Sequence, residues 1–260
     1  MCELSKDTTE AELALFRDPG FAFGLKLVGG SYTDAALVRC ARLPSLVSLT
    51  LANGRGYTAA GMSELAQSPH LAVLELRHVR ANDTWLSALK PLNRLLKLEL
   101  SGNYDITDAG LANLSGMTQL RTLVLTGTRV RGSGLAALSG AKQLERVALP
   151  EQTDAALREL AKFGKLHALA EALTEAEEVP ESAAGVKKFI VRGPVTDAGL
   201  REVKAFPNLT HLYLRTDKLT PGCLPFLKTL RTLKYLEPGI ATTDEQRREL
   251  RAALPGCDVG

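Results

Sequence analysis

Long apolar runs are missing from this 260-residue chain. No stretch approaches the ~18 consecutive apolar residues of a membrane span, so no membrane partner is expected. The start, MCELSKDTTEAEL, lacks the basic-then-apolar order of a secretory leader, which makes a cytoplasmic site the expectation. Charge of one sign is also scarce. The formal net charge is only +3 and no dense Lys/Arg run occurs, so nucleic acid is not an expected partner. The four cysteines (Cys2, Cys40, Cys223, Cys257) lie far apart without C-x-x-C spacing. They read as free thiols, neither a disulfide framework nor a zinc site. His70, His78, His167 and His211 are scattered and show no metal-ligand spacing. No G-x-S-x-G, P-loop or H-E-x-x-H occurs. The expectation is a non-enzymatic chain without cofactor or metal.

What the chain does have is a repeat. In LLKLELSGNYDITDAGLANLSGMTQLRTLVL, Leu95, Leu98 and Leu100 set an L-x-x-L-x-L frame that Leu120, Leu123 and Leu125 restart. First-frame residues recur at Leu46, Leu71, Leu95, Leu120, Leu144, Leu166, Val186, Leu209 and Leu230, at intervals of 20–25 residues. Such a period lies in the leucine-rich repeat range. The frame centres read LKL at Leu25, LTL at Leu49, LEL at Leu74 and Leu98, LVL at Leu123, VAL at Val147, FIV at Phe189, LYL at Leu212 and a weaker LKY at Leu233. Alternation turns the outer residues of each triplet into the core and the middle one outward, as in a half-buried strand.

The connecting halves read as short helices. Thr33, Thr58, Asn82, Thr107, Thr153 and Thr196 stand thirteen residues before a first-frame leucine, as N-caps. Asp34, Asp83, Asp108, Asp154 and Asp197 follow directly, where a carboxylate favours the positive helix end. Pairs such as Leu111 with Leu114 and Leu135 with Leu138 give each helix one inward face, and Cys40 falls in the same inward column as Leu65, Leu114 and Leu138. Strands stack ~4.8 Å apart and helices ~8–10 Å apart, so the helical side must splay. The expected fold is α/β: a leucine-rich repeat solenoid, a right-handed horseshoe arc with a parallel concave β-sheet and convex helices.

One domain over residues 1–260 is expected. It divides into an N-terminal capping half-repeat (8–24), about nine repeats (25–236) irregular at 170–185, and a C-terminal cap (237–260). Thr9 and Glu12 fit a capping box, with Leu13 and Phe16 in the helix register, and Asp244 to Leu254 reads as a final helix. Residues 170–185 carry Glu171, Glu175, Glu177, Glu178 and Glu181 and no Thr-Asp-x-Gly-Leu element. Pro180 occupies an inward helix slot, so the helix there should be short or displaced. This segment reads as a solvated connector or an acidic docking loop. As a docking loop it would satisfy basic residues within the molecule or in a second copy, with weak self-association.

The units ITDAGLANL, VTDAGLREV and YTDAALVRC, each followed by L-x-x-L-x-L, resemble the leucine-rich repeats of planctomycete-type bacterial proteins. They are also similar to the cysteine-containing repeats of eukaryotic F-box adaptors. The resemblance covers roughly residues 9–257. It implies a bacterial binding scaffold that recognises other proteins along its concave strands. No F-box segment is present, so a ubiquitin-adaptor role is not implied.

Outward-facing positions are the informative ones. In the N-terminal half they include Glu75, Arg77, Lys97, Glu99 and Ser101. Glu75 and Glu99 on adjacent strands could act as an acid–base pair. With Arg77 and Lys97 beside them, a cross-strand ion lattice is the better reading. In the C-terminal part the positions turn basic with an aromatic: Lys188, Arg192, His211, Tyr213, Arg215 and Lys234. Tyr and Arg dominate binding hot spots, so this patch is the expected contact for a protein partner, an acidic one. The other readings are a solvated strand face, a self-assembling structural scaffold, and the substrate-recognition part of a larger protein. Trp85, the single tryptophan, breaks a column of small residues (Ala36, Gly61, Gly110, Gly134, Ala156, Gly199). It either packs over Gly61 or Gly110 or makes a contact on the convex side.

Overall fold

The computed structural model describes residues 2–4, 9–29, 31–170 and 180–260. It is a leucine-rich repeat fold. The chain forms two compact units, Met1–Val130 with Gly134–Pro150, and Arg131–Ser133 with Glu151–Gly260. The first unit holds a parallel sheet in sequence order: β1 (Cys2–Leu4), β2 (Phe23–Val28), β3 (Leu46–Ala52), β4 (Val73–Arg77), β5 (Lys97–Glu99), β6 (Thr122–Val124) and β7 (Arg146–Ala148). The second holds β8 (Lys188–Arg192), β9 (His211–Arg215), β10 (Tyr235–Glu237) and β11 (Asp258–Val259), also parallel and in order. The frame leucines do what alternation requires. Leu74, Leu76, Leu98, Leu100, Leu123 and Leu125 are all fully buried. Each contributes roughly 1.5–3 kcal/mol of burial free energy.

A capping box stands near each end of the chain. Thr9 and Glu12 form a reciprocal capping box at the start of Glu10–Leu15, and Leu13 is buried beneath it. Phe16 lies just outside that helix, its ring 5.7 Å from that of Phe23. At the other end Thr243 and Gln246 form a second capping box on Asp244–Ala253. Leu250 and Leu254 are buried, and Val259 is buried on β11. Two short strands extend the caps beyond the expected pattern: β1 adds to the edge of β2 and β11 to the edge of β10.

The irregular region begins at the frame that starts with Leu166. Leu166 and Leu169 are buried, but Leu166–Leu169 is a 3-10 turn and no strand follows it among the described residues. The sequence places Glu171 where other repeats complete the frame with an apolar residue, which removes the core anchor of a strand. Residues 171–179, with Glu171, Glu175, Glu177 and Glu178, lie outside the described residues. After Pro180 a single 3-10 turn, Ala183–Gly185, stands where other repeats have a helix.

The last repeat corrects the expected register. Tyr235, Leu236 and Glu237 pair with His211, Leu212 and Tyr213. The frame therefore begins at Leu233, three residues after Leu230, and Leu236 is its buried centre. Pro238 takes the final frame position and hides the pattern, since Pro ends the ladder rather than extending it.

The expected threonine and asparagine caps all form, Thr33, Thr58, Asn82, Thr107, Thr153 and Thr196, and Thr220 adds another. The aspartates after them have a second role that helix polarity does not suggest. Each reaches into the next helix start. Thr58 donates its backbone N–H (2.8 Å) and hydroxyl (2.5 Å) to Asp34. Thr107 does the same to Asp83 (2.9 and 2.7 Å), and Thr196 to Asp154 (2.8 and 2.5 Å). Thr220 bonds Asp197 in the same way, and Gly134 N–H donates to Asp108 at 2.8 Å. Glu10 opens the series by accepting from Thr33 and from Ala36 N–H.

This explains the column of small residues. A Cβ on Gly61, Gly110 or Gly199 would overlap Oδ1 of Asp34, Asp83 or Asp154. Where the preceding repeat has no carboxylate, the column is released. Ala59 precedes Trp85, and Gly132 precedes Ala156. Trp85 is 4% exposed, so its ring is a packing element that offers almost no surface. The contact on the convex side does not stand.

One buried polar side chain supports the turns. Asn103 accepts from Val79 N–H (3.1 Å) and Ala81 N–H (3.0 Å) and donates to the Leu76 and Leu100 carbonyls, both at 2.8 Å. It thereby holds the turn in which His78 (φ 52°) and Arg80 (φ 61°) adopt the left-handed conformation. Such residues cost of order 1–3 kcal/mol each and persist only when neighbours hold them.

The carboxylate clamp predicts a paired result. Gly110→Ala should lose about 1–3 kcal/mol in urea denaturation, the usual range for overpacking, while Gly116→Ala, with open space around it, should change stability by less than about 1 kcal/mol. Asp83→Ala combined with Gly110→Ala should cost clearly less than the sum of the two single changes. Strict additivity would show that the carboxylate is not what excludes the Cβ.

Candidate functional site

The outward faces of the two sheets differ in chemistry. On the first, Glu75 pairs directly with Glu99 across β4 and β5. Two adjacent carboxylates repel, and two cations resolve this. Arg77 lies 2.9 Å from Glu75 and 2.7 Å from Glu99, while Lys97 lies 2.5 Å from Glu75 and 3.5 Å from Glu99. Thr50 donates to Glu75 (3.1 Å) and Ser101 to Glu99 (3.3 Å). Both glutamates are buried at 8% exposure. Burial pushes the Glu75 carboxyl up, but the hydrogen bond and charge of Lys97, with Arg77 and Thr50, outweigh it and hold the group below the ordinary carboxylate range. A carboxylate held ionised by two cations is a poor proton shuttle. The arrangement is an ion lattice, with each charge already answered.

On the second sheet the same positions are filled differently. Lys188, His211 and Tyr235 form one row across β8, β9 and β10. Ile190, Tyr213 and Glu237 form the next, and Arg192 pairs with Arg215 beyond them. The aromatic rings lie together: Tyr213 is 5.2 Å from Tyr235, and His211 stacks on Tyr235 at 6.1 Å. The Arg215 guanidinium sits 5.8 Å above the Tyr213 ring and 3.9 Å from Glu237. A cation over an aromatic face is held electrostatically. Beneath, Leu212 and Leu214 are buried, so core packing fixes the strand that carries these groups.

Thr210 orients the histidine. Its hydroxyl donates to the Lys187 carbonyl (2.9 Å) and also lies 2.9 Å from His211 Nδ1. A hydroxyl has one hydrogen, and a carbonyl can only accept. The bond to His211 therefore runs from Nδ1–H, which leaves Nε2 as the acceptor of the neutral ring.

The structure thus brings together five of the six C-terminal residues expected from sequence: Lys188, Arg192, His211, Tyr213 and Arg215. Lys234 is exposed but precedes β10 by one residue and is not in the row. Tyr235 and Glu237 take the outward positions instead. They were legible in the L-x-x-L frame of Leu233 and Leu236, which Pro238 interrupts. Glu237 also places an acid among positions that the sequence presents as basic with an aromatic. A shallow depression at the C-terminal ends of β8–β10 is lined by Gly193, Arg215, Thr216, Asp217, Glu237 and Gly239 and is of mixed charge.

Three of the four cysteines, Cys40, Cys223 and Cys257, are buried and unreactive. Burial pushes the thiol of Cys40 up to about 12 and that of Cys223 up to about 11, and Cys257 is raised for the same reason. Such thiols are not ionised near neutrality. Among the described residues, no three His, Cys, Asp or Glu side chains come together as metal ligands. No helix there is long and apolar enough to cross a membrane.

No family model matches the chain, and no curated protein does. Among solved structures it is similar to internalin C2 of Listeria monocytogenes: 19% identity over 90% of this chain and 84% of that one, with a TM-score of 0.48. It is also similar to an internalin, InlF, of the same organism: 16% identity over 97% of this chain and 88% of that one, with a TM-score of 0.38. These values lend no weight to a shared role. The leucine-rich repeat architecture rests on the frames, caps and parallel strands themselves.

The ion lattice makes a prediction for pH. The folded pKa of Glu75 is depressed, so its stabilisation is present above the unfolded value of about 4.3 and is lost as pH falls through the folded one. Lys97→Met should destabilise the protein by about 1–3 kcal/mol near pH 7, because it leaves two paired carboxylates with one cation. Glu75→Gln should make the acid-side decline between about pH 5 and pH 3 shallower, measured by chemical denaturation at each pH. An unchanged acid slope in that variant would show that Glu75 carries no native ionic stabilisation.

Proposed function

We propose that this chain is a non-enzymatic protein-recognition scaffold, and that the outward face of β8–β10 contacts an acidic partner. The observation that carries this reading is the cluster of His211, Tyr213, Tyr235 and Arg215, with Lys188 and Arg192 beside it, on strands whose other faces are buried. Those side chains add little to the core, and they are of the types that supply binding free energy. Ordered strands hold them in place before binding, so little conformational entropy is lost on association. The Thr-Asp-x-Gly units that resemble bacterial scaffold repeats fit this role, as does a protein partner generally.

The test is affinity capture with the intact chain as bait, comparing wild type with His211→Ala/Tyr213→Ala/Arg215→Ala. Truncating hot-spot residues costs about 2 kcal/mol or more each, so binding should fall at least about thirty-fold. Arg121→Ala, in an exposed pair with Glu145, should leave it unchanged. A partner held equally by the triple variant would move recognition elsewhere. A concentration-dependent rise in mass, suppressed by salt, would instead favour a self-associating scaffold.

A further inference from the structure

His167 is a buried base that plays no part in the recognition face. We infer that the Leu166–Leu169 turn is an acid-opened joint: a proton taken up by His167 unlatches it while the helices and strands of its unit stay folded. The inference goes beyond the recognition reading and does not depend on it.

The turn stands where other repeats have a strand. Leu166, Ala168, Leu169 and Ala170 are buried, and His167 itself is only 2% exposed. Neither of its ring nitrogens has a hydrogen-bond partner. An unpaired polar group is costly to bury, and an unpaired charge far more so. The closed turn therefore holds the neutral ring. Burial, with the Lys165 ammonium, outweighs the Gly164 backbone and pushes the imidazole below the ordinary histidine range. The helix packed against the turn, Asp154–Lys162, offers no counter-charge. Asp154 is engaged by Thr196, Glu159 pairs with Lys162 at 2.6 Å, and Arg158 is exposed. A proton on His167 would thus add a second cation beside Lys165 in an apolar site.

The stack bypasses this joint. β8 is the last strand of its sheet. At its open edge Gln152 accepts from Arg192 N–H (3.1 Å) and donates to the Ile190 carbonyl (3.2 Å), so a carboxamide takes the place of a neighbouring strand. Asp154 clamps Thr196 across 42 residues, where Asp197 and Asp108 reach across 23 and 26. Strand and helix positions are set by bonds that skip the turn. Inside it the backbone bonds are local: Ala168 N–H donates to the Lys165 carbonyl (3.0 Å) and Ala170 N–H to the His167 carbonyl (2.9 Å). A segment held in this way can open without global unfolding. The closed imidazole binds a proton less readily than the opened one. Closure is therefore at full strength above about pH 6.5, the ordinary histidine value, and weakens as pH falls below it toward the closed-state value.

Amide hydrogen exchange on the whole chain at about pH 7.5 and about pH 5.5, corrected for intrinsic rates, tests this. Protection at Ala168 and Ala170 should fall about five- to ten-fold between the two. The His211 amide, bonded to the Lys187 carbonyl, should keep its protection. His167→Phe, an apolar ring of similar size, should abolish the response. In the wild type, the His167 ring protons followed by NMR should titrate below about pH 6.5, in step with the loss of protection. A response that survives in His167→Phe, or a fall shared by the His211 amide, would overturn the joint. Unchanged protection in the wild type, or ring protons titrating at or above that pH, would overturn it without need of the variant.

Discussion

Within each unit the stack is set by a carboxylate that reaches from one helix start to the next. Parallel strands alone would allow a helix to begin a residue early or late, since burial is nondirectional. The aspartate removes that freedom. It accepts from both the amide and the hydroxyl of the next cap, and the following glycine lets it come close. Hydrogen bonds to a charged group are worth roughly 1.5–3 kcal/mol each, enough to choose one register over another. The strand positions, and so the outward side chains, follow from where each helix begins.

With the scaffold fixed in this way, the two sheets spend their outward positions differently. The face of β4 and β5 closes on itself: two buried glutamates and two basic side chains satisfy one another, with Thr50 and Ser101 completing the acceptors. Removing such charges from a partner's reach is a form of selectivity, because a foreign ion would have to break existing pairs. The face of β8–β10 has aromatic surface in place of the lattice, with Glu237 at one side. The same backbone geometry thus presents a neutralised surface in one unit and an aromatic, largely cationic one in the other.

Much of this was legible in the sequence, for physical reasons. The leucine frames and threonine caps are local signals, each readable within a few residues, and apart from the Leu166 frame they appear where expected from Thr33 to Thr196. The aspartates were legible as helix-start residues but not as clamps, because their acceptor role depends on a residue 23 to 42 positions away. Trp85 looked like an anomaly in its column for the same reason. Its explanation lies in Ala59, a residue that no reading of its own helix would include. The error at Lys234 has another origin: Pro238 replaces the last frame leucine, and the frame slid by three residues to a false match at Leu230. Tyr235 and Glu237 were lost with it.

The pairing of Ala59 with Trp85 bears on how such a chain can change by whole-repeat exchange. An aspartate-bearing repeat can be followed by any repeat that offers a threonine and a glycine, so the Asp34–Thr58, Asp83–Thr107, Asp154–Thr196 and Asp197–Thr220 junctions are interchangeable. The Ala59–Trp85 junction is not. Splicing an aspartate-bearing repeat in front of Trp85 would drive the indole against a carboxylate, and splicing Ala59 in front of a glycine would leave a void with an unanswered threonine. The heritable module at this point is therefore the seam between two repeats, and duplications or deletions should be confined to segments that carry both sides of it.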